Sequence, residues 1–268
     1  MKEILDCKNH SEKILSELQR QIKKAHVTPS LAIILAGEDP ASKIYVTRKK
    51  TVALEIGAKA EVFEYPSGVD QRIIEEKIKD LNKNKEIHGI MIQLPLPKNF
   101  DTKKLTQLIA KGKDVDGLRS WREGTATSDA VMEILRAAKV PLKNRIAVVV
   151  GRSRLVGKPV AYFLRKGGAR VFVCHSKTPD LASKTKKADI LVSAVGKPHL
   201  IRENMVKEGA VVVDVGEAKV QGKIVGDVDY EIVKNKASFV TPVPGGVGPT
   251  TVALLLQRLT EKALSGNF

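Results

Sequence analysis

The sequence predicts an α/β protein in two halves, each a mostly parallel sheet with flanking helices. Three observations predict it. The short apolar runs Leu31–Leu35, Gly89–Gln93, Ala147–Val150 and Ile190–Ser193 have the length and character of strands buried on both faces. Segments of helical periodicity lie between the strands, so the two types alternate along the chain. Finally, Ala147–Val150 leads straight into Gly151-Arg152-Ser153-Arg154-Leu155-Val156-Gly157-Lys158-Pro159, a glycine-spaced turn that opens a helix.

Each element follows from its own residues. His10–Lys24 places Ile14, Leu15, Leu18 and Ile22 on one helical stripe. Leu31–Leu35 follows Pro29 as a strand and is broken by Gly37-Glu38-Asp39-Pro40, after which a helix runs to about Ile56 and stops at Gly57. Ala60–Tyr65 reads as a strand and Asp70–Asn82 as a helix. Gly89–Gln93 is a strand halted by Leu94-Pro95-Leu96-Pro97, completing a β-α-β-α-β pattern. Thr102–Ala110 is a helix, Asp114–Gly117 a turn, and Ser128–Ala138 a helix leading to the strand Ala147–Val150. Helix Val160–Lys166, strand Arg170–Cys174, helix Leu181–Lys187 and strand Ile190–Ser193 come next, then strand Ala210–Val215, closed by Gly216. Lys219–Ile224, centred on Gln221-Gly222, suits a small hairpin. Ser238–Thr241 is the last strand. It meets the Pro242–Pro249 loop, and an apolar helix, Thr250–Leu264, follows.

Composition narrows the function classes. With 268 residues and 43% hydrophobic content, the chain buries a sizeable core. Aromatic residues are only 4%, which argues against a base-stacking surface for single-stranded nucleic acid. There is no apolar run of about 18 residues and no signal-peptide pattern, so no membrane span is expected. Cys7 and Cys174 stand far apart in no ligand pattern, which fits a reducing cytoplasm without disulfides or a bound metal. The net charge of +16 admits nucleic acid, a solvated basic surface or small anionic substrates. The basic residues are dispersed rather than gathered in a tail or finger, so nucleic acid is not expected as the main partner.

Ligands of open parallel sheets bind at the carboxyl ends of the strands. Those ends carry Gly37-Glu38, Gln93, Gly151-Arg152, His175-Ser176, Ala194–Gly196, Gly216 and the Pro242–Pro249 loop. The turn after Val150 has the form of an anion site, where free amides and the helix dipole meet a phosphate, although the same spacing also suits a plain βα turn. The next strand ends Cys174-His175-Ser176-Lys177, without the carboxylate that would hold a ribose 2′-hydroxyl. With Arg152 nearby, that chemistry suits a 2′-phosphate; the alternative is that Arg152 and Lys177 are merely solvated. Tyr45 and Lys49 are four residues apart on one helical face, suited to stacking on a flat substrate and moving a proton. By residue type alone, Arg48-Lys49-Lys50 reads more readily as a solvated basic face. Gln93 is an orienting amide or a strand cap, and Asp116 a ligand for heterocycle N–H groups or an Asx turn.

Taken together, the motifs resemble the bifunctional methylenetetrahydrofolate dehydrogenase/methenyltetrahydrofolate cyclohydrolase family over nearly the whole chain. The resemblance is carried by Ser42-x-x-Tyr45-x-x-x-Lys49, Gly89–Pro97, Lys113–Gly117, Gly151–Pro159, Cys174–Thr178, Gly226-Asp227-Val228 and Thr241–Pro249. It implies a folate-binding catalytic domain of residues 1–122 plus 249–268 and a Rossmann-like NADP-binding domain of residues 123–248. The C-terminal helix returns to the first domain, and folate lies between the two. It also implies an oxidoreductase and hydrolase of one-carbon metabolism and purine biosynthesis, cytoplasmic and homodimeric, acting on tetrahydrofolate one-carbon derivatives.

By the same resemblance, Lys49 is the catalytic lysine, Tyr45 stacks on the folate, Gln93 partners the lysine and Asp116 binds the pterin. Pro244, Gly245 and Gly246 lie beside the folate. Arg152 and Ser176 meet the 2′-phosphate, while Gly151, Ser153, Ala194, Gly216 and Thr251 complete the cofactor site. Three stretches depart from the family pattern. Leu118–Gly124 replaces Phe-His-Pro-x-Asn-x-Gly. A shorter loop follows, with Thr125-Ala126-Thr127-Ser128 in place of Pro-Cys-Thr-Pro. Gly216-Glu217-Ala218 replaces Gly-Ile-Asn, bringing a carboxylate toward the nicotinamide end. None of these removes a catalytic candidate. A monofunctional dehydrogenase and a catalytically silent folate or nucleotide binder are the alternatives; the presence of Lys49 and Gln93 argues against the first, and that of Lys49 against the second.

Overall fold

A computed structural model describes residues 5–266. The chain divides into two compact units. One comprises Glu12–Ser120 together with the C-terminal residues from Val252; the other comprises Trp121–Thr251 together with the start of the chain through Ser11.

Helix α1 (Cys7–Ala25) buries Leu18 and Ile22 of the expected stripe and ends on Lys23 and Lys24, whose charge complements the helix C-terminus. In the unit of Glu12–Ser120, strands β1 (Ser30–Ala36), β2 (Lys59–Tyr65) and β3 (Gly89–Ile92) form a parallel sheet in the order β2-β1-β3. The central strand β1 is buried from Leu31 to Ala36, as its unbroken apolar run requires. Register pairs Ile34 with Phe63 on one side and Ile92 on the other. The helices here are α2 (Pro40–Glu55), α3 (Gln71–Lys83) and α4 (Thr102–Leu108). Asp70 caps α3 by accepting from the Arg72 amide, and Ile74, Ile78 and Leu81 form its buried stripe.

The unit of Trp121–Thr251 begins with α5 (Ala126–Ala137). It contains β4 (Ile146–Val150), α6 (Gly157–Lys166), β5 (Arg170–Cys174), α7 (Leu181–Thr185), β6 (Ile190–Ser193) and β7 (Val211–Asp214). The hairpin β8 (Ala218–Val220) and β9 (Lys223–Val225), helix α8 (Tyr230–Val233) and strand β10 (Phe239–Val240) follow. Five strands run parallel in the order β10-β7-β6-β4-β5. Strand β4 thus has its sequence successors on opposite sides, the point where such sheets open for a ligand. The hairpin turns at Gln221 and Gly222, both at positive φ (48° and 81°), as a tight two-residue turn demands. Val148, Leu191, Ile201, Val206, Val212 and Val228 belong to the core beneath the sheet.

Several boundaries differ from the sequence expectation by a few residues, α1, α4, α6 and α7 among them, and two have clear reasons. Helix α5 starts two residues before Ser128, because Thr125 and Ser128 form a reciprocal cap: Thr125 Oγ1 accepts from the Ser128 amide and Ser128 Oγ from the Thr125 amide. The final helix α9 (Val247–Ser265) starts three residues before Thr250. Pro249 does not obstruct it, since first-turn amides have no intrahelical acceptor. The short turns Lys111–Lys113, Trp121–Glu123 and Glu203–Met205, and helix α8, carry too little periodicity to be read from sequence. No helix among the described residues is long and apolar enough to cross a membrane.

Candidate active site

Asp39 fixes where α2 begins: its carboxylate accepts from both the backbone amide and the hydroxyl of Ser42 (2.8 and 2.7 Å), and Pro40 occupies the first turn. From that start, Ser42, Val46, Lys49 and Ala53 face inward. Lys49 therefore lies on the buried stripe and is only 9% exposed, while Arg48 and Lys50 remain in solvent. The solvated-face reading fails for this one lysine. Tyr45, one turn earlier on the helix, is half-buried.

Lys49 Nζ donates to Gln93 Oε1 at 2.9 Å. Gln93 follows β3 directly, and its amide N–H extends the ladder to Ile34 C=O. Its side-chain Nε2 donates to Leu94 C=O at 2.8 Å, which turns Oε1 toward the lysine. Burial holds the Lys49 ammonium below the usual lysine range, and the charge of Asp116 works against that shift.

Asp116 is presented by a turn in which nearly every other group has a structural task. Lys113 is 2% exposed and donates to Leu81 C=O and Asn84 C=O, anchoring the turn on the C-terminus of α3. Asp114 accepts from the Leu118 and Arg119 amides. Val115 is buried, and Gly117 takes φ 72°. The Asp116 carboxylate accepts no hydrogen bond from the described residues. Burial pushes it up to about 6; Lys49 and Arg258 pull it down, and Asp114 pushes it further up. Arg258, on α9, extends Nη1 to within 3.5 Å of Val115 C=O, on the peptide that joins Val115 to Asp116. Leu118 is buried, and the Arg119 guanidinium bonds Gln107 C=O and Ile109 C=O at the end of α4, so this departure from the family pattern is a working part of the turn.

In the unit of Trp121–Thr251, the turn after β4 forms a close-packed cradle. A Cβ on Gly151 would stand 2.5 Å from Ala194 C=O, and one on Gly157 2.2 Å from Gly151 C=O. Gly151 also takes φ 121°. Ser153 Oγ accepts from the Val156 and Gly157 amides, and Ser153 C=O accepts from the Lys158 amide, fixing the start of α6. Arg152 is exposed beside this turn. After β5, the His175 amide donates to Thr178 Oγ1 and the Lys177 amide to His175 Nδ1, leaving Ser176 exposed at the tip. Ala194 follows β6, and Gly216 follows β7 with its amide on Asp214 Oδ1. Pro244 and Gly245 lie in the turn before α9, while Gly246 packs against Pro242 C=O. Thr251 donates its hydroxyl to Val247 C=O. Glu217 brings its carboxylate against the first turn of α9, 3.3 Å from where a Gly248 Cβ would stand.

The structure thus brings Lys49, Gln93 and Asp116 together in one unit and Gly151, Ser153, Ala194 and Gly216 to the strand ends of the other. Arg258 escaped the sequence reading, because only the folded helix brings it to Asp116. Asp214 escaped too, since an acid closing a strand has no distinguishing local pattern.

Two family models match the chain. The tetrahydrofolate dehydrogenase/cyclohydrolase catalytic domain covers residues 5–116, and the NAD(P)-binding domain of the same family covers residues 125–266. The bifunctional protein FolD of a Nitratiruptor species is 46% identical, the match covering 97% of this chain and 98% of that one. The crystal structure of the FolD dehydrogenase/cyclohydrolase from Campylobacter jejuni superposes with a TM-score of 0.93 at 40% identity, covering 97% of this chain and 98% of that one. The Trypanosoma brucei FolD structure, complexed with NADP and an inhibitor, gives 0.91 at 34% identity over 98% and 97% of the two chains. The chain belongs to the tetrahydrofolate dehydrogenase/cyclohydrolase family.

Proposed function

We propose that this enzyme oxidises 5,10-methylenetetrahydrofolate to the 5,10-methenyl form with NADP and then hydrolyses that product to 10-formyltetrahydrofolate. The observation that carries this reading is the buried Lys49, bonded to Gln93 and electrostatically coupled to Asp116.

The turn after β4 fits a dinucleotide. Gly151 and Gly157 leave no room for side chains where the backbone closes on itself, and the positive dipole end of α6 suits a pyrophosphate. Arg152 and Ser176 are exposed at the ends of β4 and β5 and suit a 2′-phosphate. Ala194, Gly216 and Thr251 would line the remainder, with Gly151 and Ser153 at the turn. When bound, NADP accepts the hydride from the methylene carbon. The protein's task in that step is alignment and exclusion of water.

Hydrolysis needs more from the side chains. Water adds to the methenyl carbon, the bond from that carbon to N5 breaks, and the formyl group stays on N10. Lys49, made easier to deprotonate by burial, takes a proton from the adding water and delivers it to N5 as the bond from the carbon breaks, while the second proton of the water leaves to solvent as the formyl C=O forms. Gln93 holds the amine in place through its fixed Oε1. Asp116, as a carboxylate, accepts N–H groups of the pterin, and Tyr45 stacks on the folate. Pro244, Gly245 and Gly246 are assigned to the folate from the family resemblance. Cytoplasmic location, supply of formyl groups to purine synthesis and homodimer assembly are proposed on the same ground.

An absorbance assay tests the reading. The purified protein is given methylenetetrahydrofolate with NADP⁺ or NAD⁺, then methenyltetrahydrofolate alone. NADP⁺-dependent oxidation and nucleotide-independent hydrolysis are both expected. Loss of either from a folded preparation would contradict the bifunctional assignment.

A further inference from the structure

Two buried aspartates outside the catalytic cluster bind three strand-end segments of the nucleotide unit to one another. Asp214, at the end of β7, accepts from the Gly216 and Asp227 amides through Oδ1 (both 3.1 Å) and from the Val228 amide through Oδ2 (2.8 Å). Asp227 accepts from Ser193 Oγ and the Val195 amide through Oδ2 (both 2.8 Å) and from the Lys197 amide through Oδ1 (2.6 Å). Each carboxylate lies over the other segment's glycine. A Cβ on Gly216 would stand 2.0 Å from Asp227 Cγ, and one on Gly226 would stand 2.0 Å from Asp214 Oδ2. Neither glycine tolerates a side chain while the interlock holds.

The loop that Asp227 grips, Val195 to Lys197, directly follows Ala194, and the Ala194 carbonyl is the surface on which Gly151 packs. Asp227 is therefore linked through that loop to the turn after β4, and Asp214 holds Gly216 directly. The pair thus sets two of the five strand ends in the sheet, those of β6 and β7, and ties both to the segment after β9. We propose that Asp227, with Asp214, is a positioning residue for the dinucleotide: it fixes the Ala194 and Gly216 segments against the Gly151 turn without touching the reacting atoms. The proposal rests on the NADP assignment made above.

The enzyme's two reactions distinguish positioning from plain structural support, because hydrolysis of methenyltetrahydrofolate uses no nucleotide. Asp227→Asn sets an NH₂ group against one of the N–H donors that the carboxylate now accepts. Losing a hydrogen bond to a charged acceptor corresponds to about a ten- to a hundredfold change in an equilibrium constant. The expected result is a rise of about that size in the KM and Kd for NADP⁺, with dehydrogenase kcat and the hydrolysis rate changed less than about threefold. If Asp227→Asn does not fold, Ser193→Ala removes one of the three donors and should raise the NADP⁺ KM severalfold, again sparing hydrolysis. Parallel loss of both activities, or an unchanged NADP⁺ KM and Kd, would overturn the proposal. Failure of the unmutated protein to oxidise its substrate with NADP⁺ would instead count against the functional reading beneath it.

Discussion

Lys49 reaches Gln93 across the buried face of α2, Nζ to Oε1 at 2.9 Å, and the glutamine is itself held by Leu94 C=O. Oε1 is an acceptor in either protonation state of the lysine. An ammonium finds a partner there, and a neutral amine still donates one N–H while its lone pair is left for a substrate proton. Burial supplies the bias toward deprotonation, and Asp116 limits it. Burial and the Asp116 charge thus act on the lysine in opposite directions.

The pH dependence follows from Asp116. Its carboxyl is pushed up to about 6, and the role proposed for it, accepting pterin N–H groups, calls for the carboxylate. Protonation below that value removes the charge and turns one of the two acceptor oxygens into a donor. The kcat/KM of the dehydrogenase step should therefore fall as pH drops through about 6, approaching a tenfold loss per unit further down. The apparent value belongs to the coupled Lys49–Asp116 pair. A flat profile from pH 7.5 to 5 in a stable protein would remove Asp116 from pterin binding.

Arg152→Ala should weaken NADP⁺ binding by about ten- to a hundredfold, the loss of one charge-assisted contact. NAD⁺ binding should change little. Calorimetric titration with both nucleotides checks this, and equal losses would remove Arg152 from the 2′-phosphate.

How much of this was legible beforehand depends on distance along the chain. Strands β5 and β6 are bounded as their residues predict, and β6, buried along its whole length, announces itself as a short apolar run. Lys49 was legible on one view and hidden on another. The triplet Arg48-Lys49-Lys50 reads as surface, but Ser42, Val46, Lys49 and Ala53 share one helical stripe in which the lysine is the exception. The Thr125–Ser128 cap was present in the sequence as a reciprocal pair of hydroxyls, masked because neither residue is the usual glutamate of such a cap. Arg258 beside Val115 is separated by 143 positions from its partner, and no local pattern encodes that encounter.

Lys113 belongs to stability rather than chemistry. Lys113→Met keeps the apolar stem but strips donors from Leu81 C=O and Asn84 C=O, which should cost about 1–3 kcal/mol. A lower urea midpoint with an unchanged slope is expected, and an unchanged midpoint would show that α3 ends equally well without it.

Lys49→Met tests the central claim most directly. The substitution retains most of the stem's apolar volume and deletes the amine, so Gln93 loses its donor while α2 keeps its buried stripe. Both reactions are measured on the same purified variant, with circular dichroism to verify folding. Hydrolysis of methenyltetrahydrofolate should fall by about 10²–10⁴-fold, the usual contribution of a general acid–base group, and hydride transfer to NADP⁺ should fall less. Hydrolysis persisting near the unmutated rate in the folded variant would show that Lys49 moves no proton in this reaction.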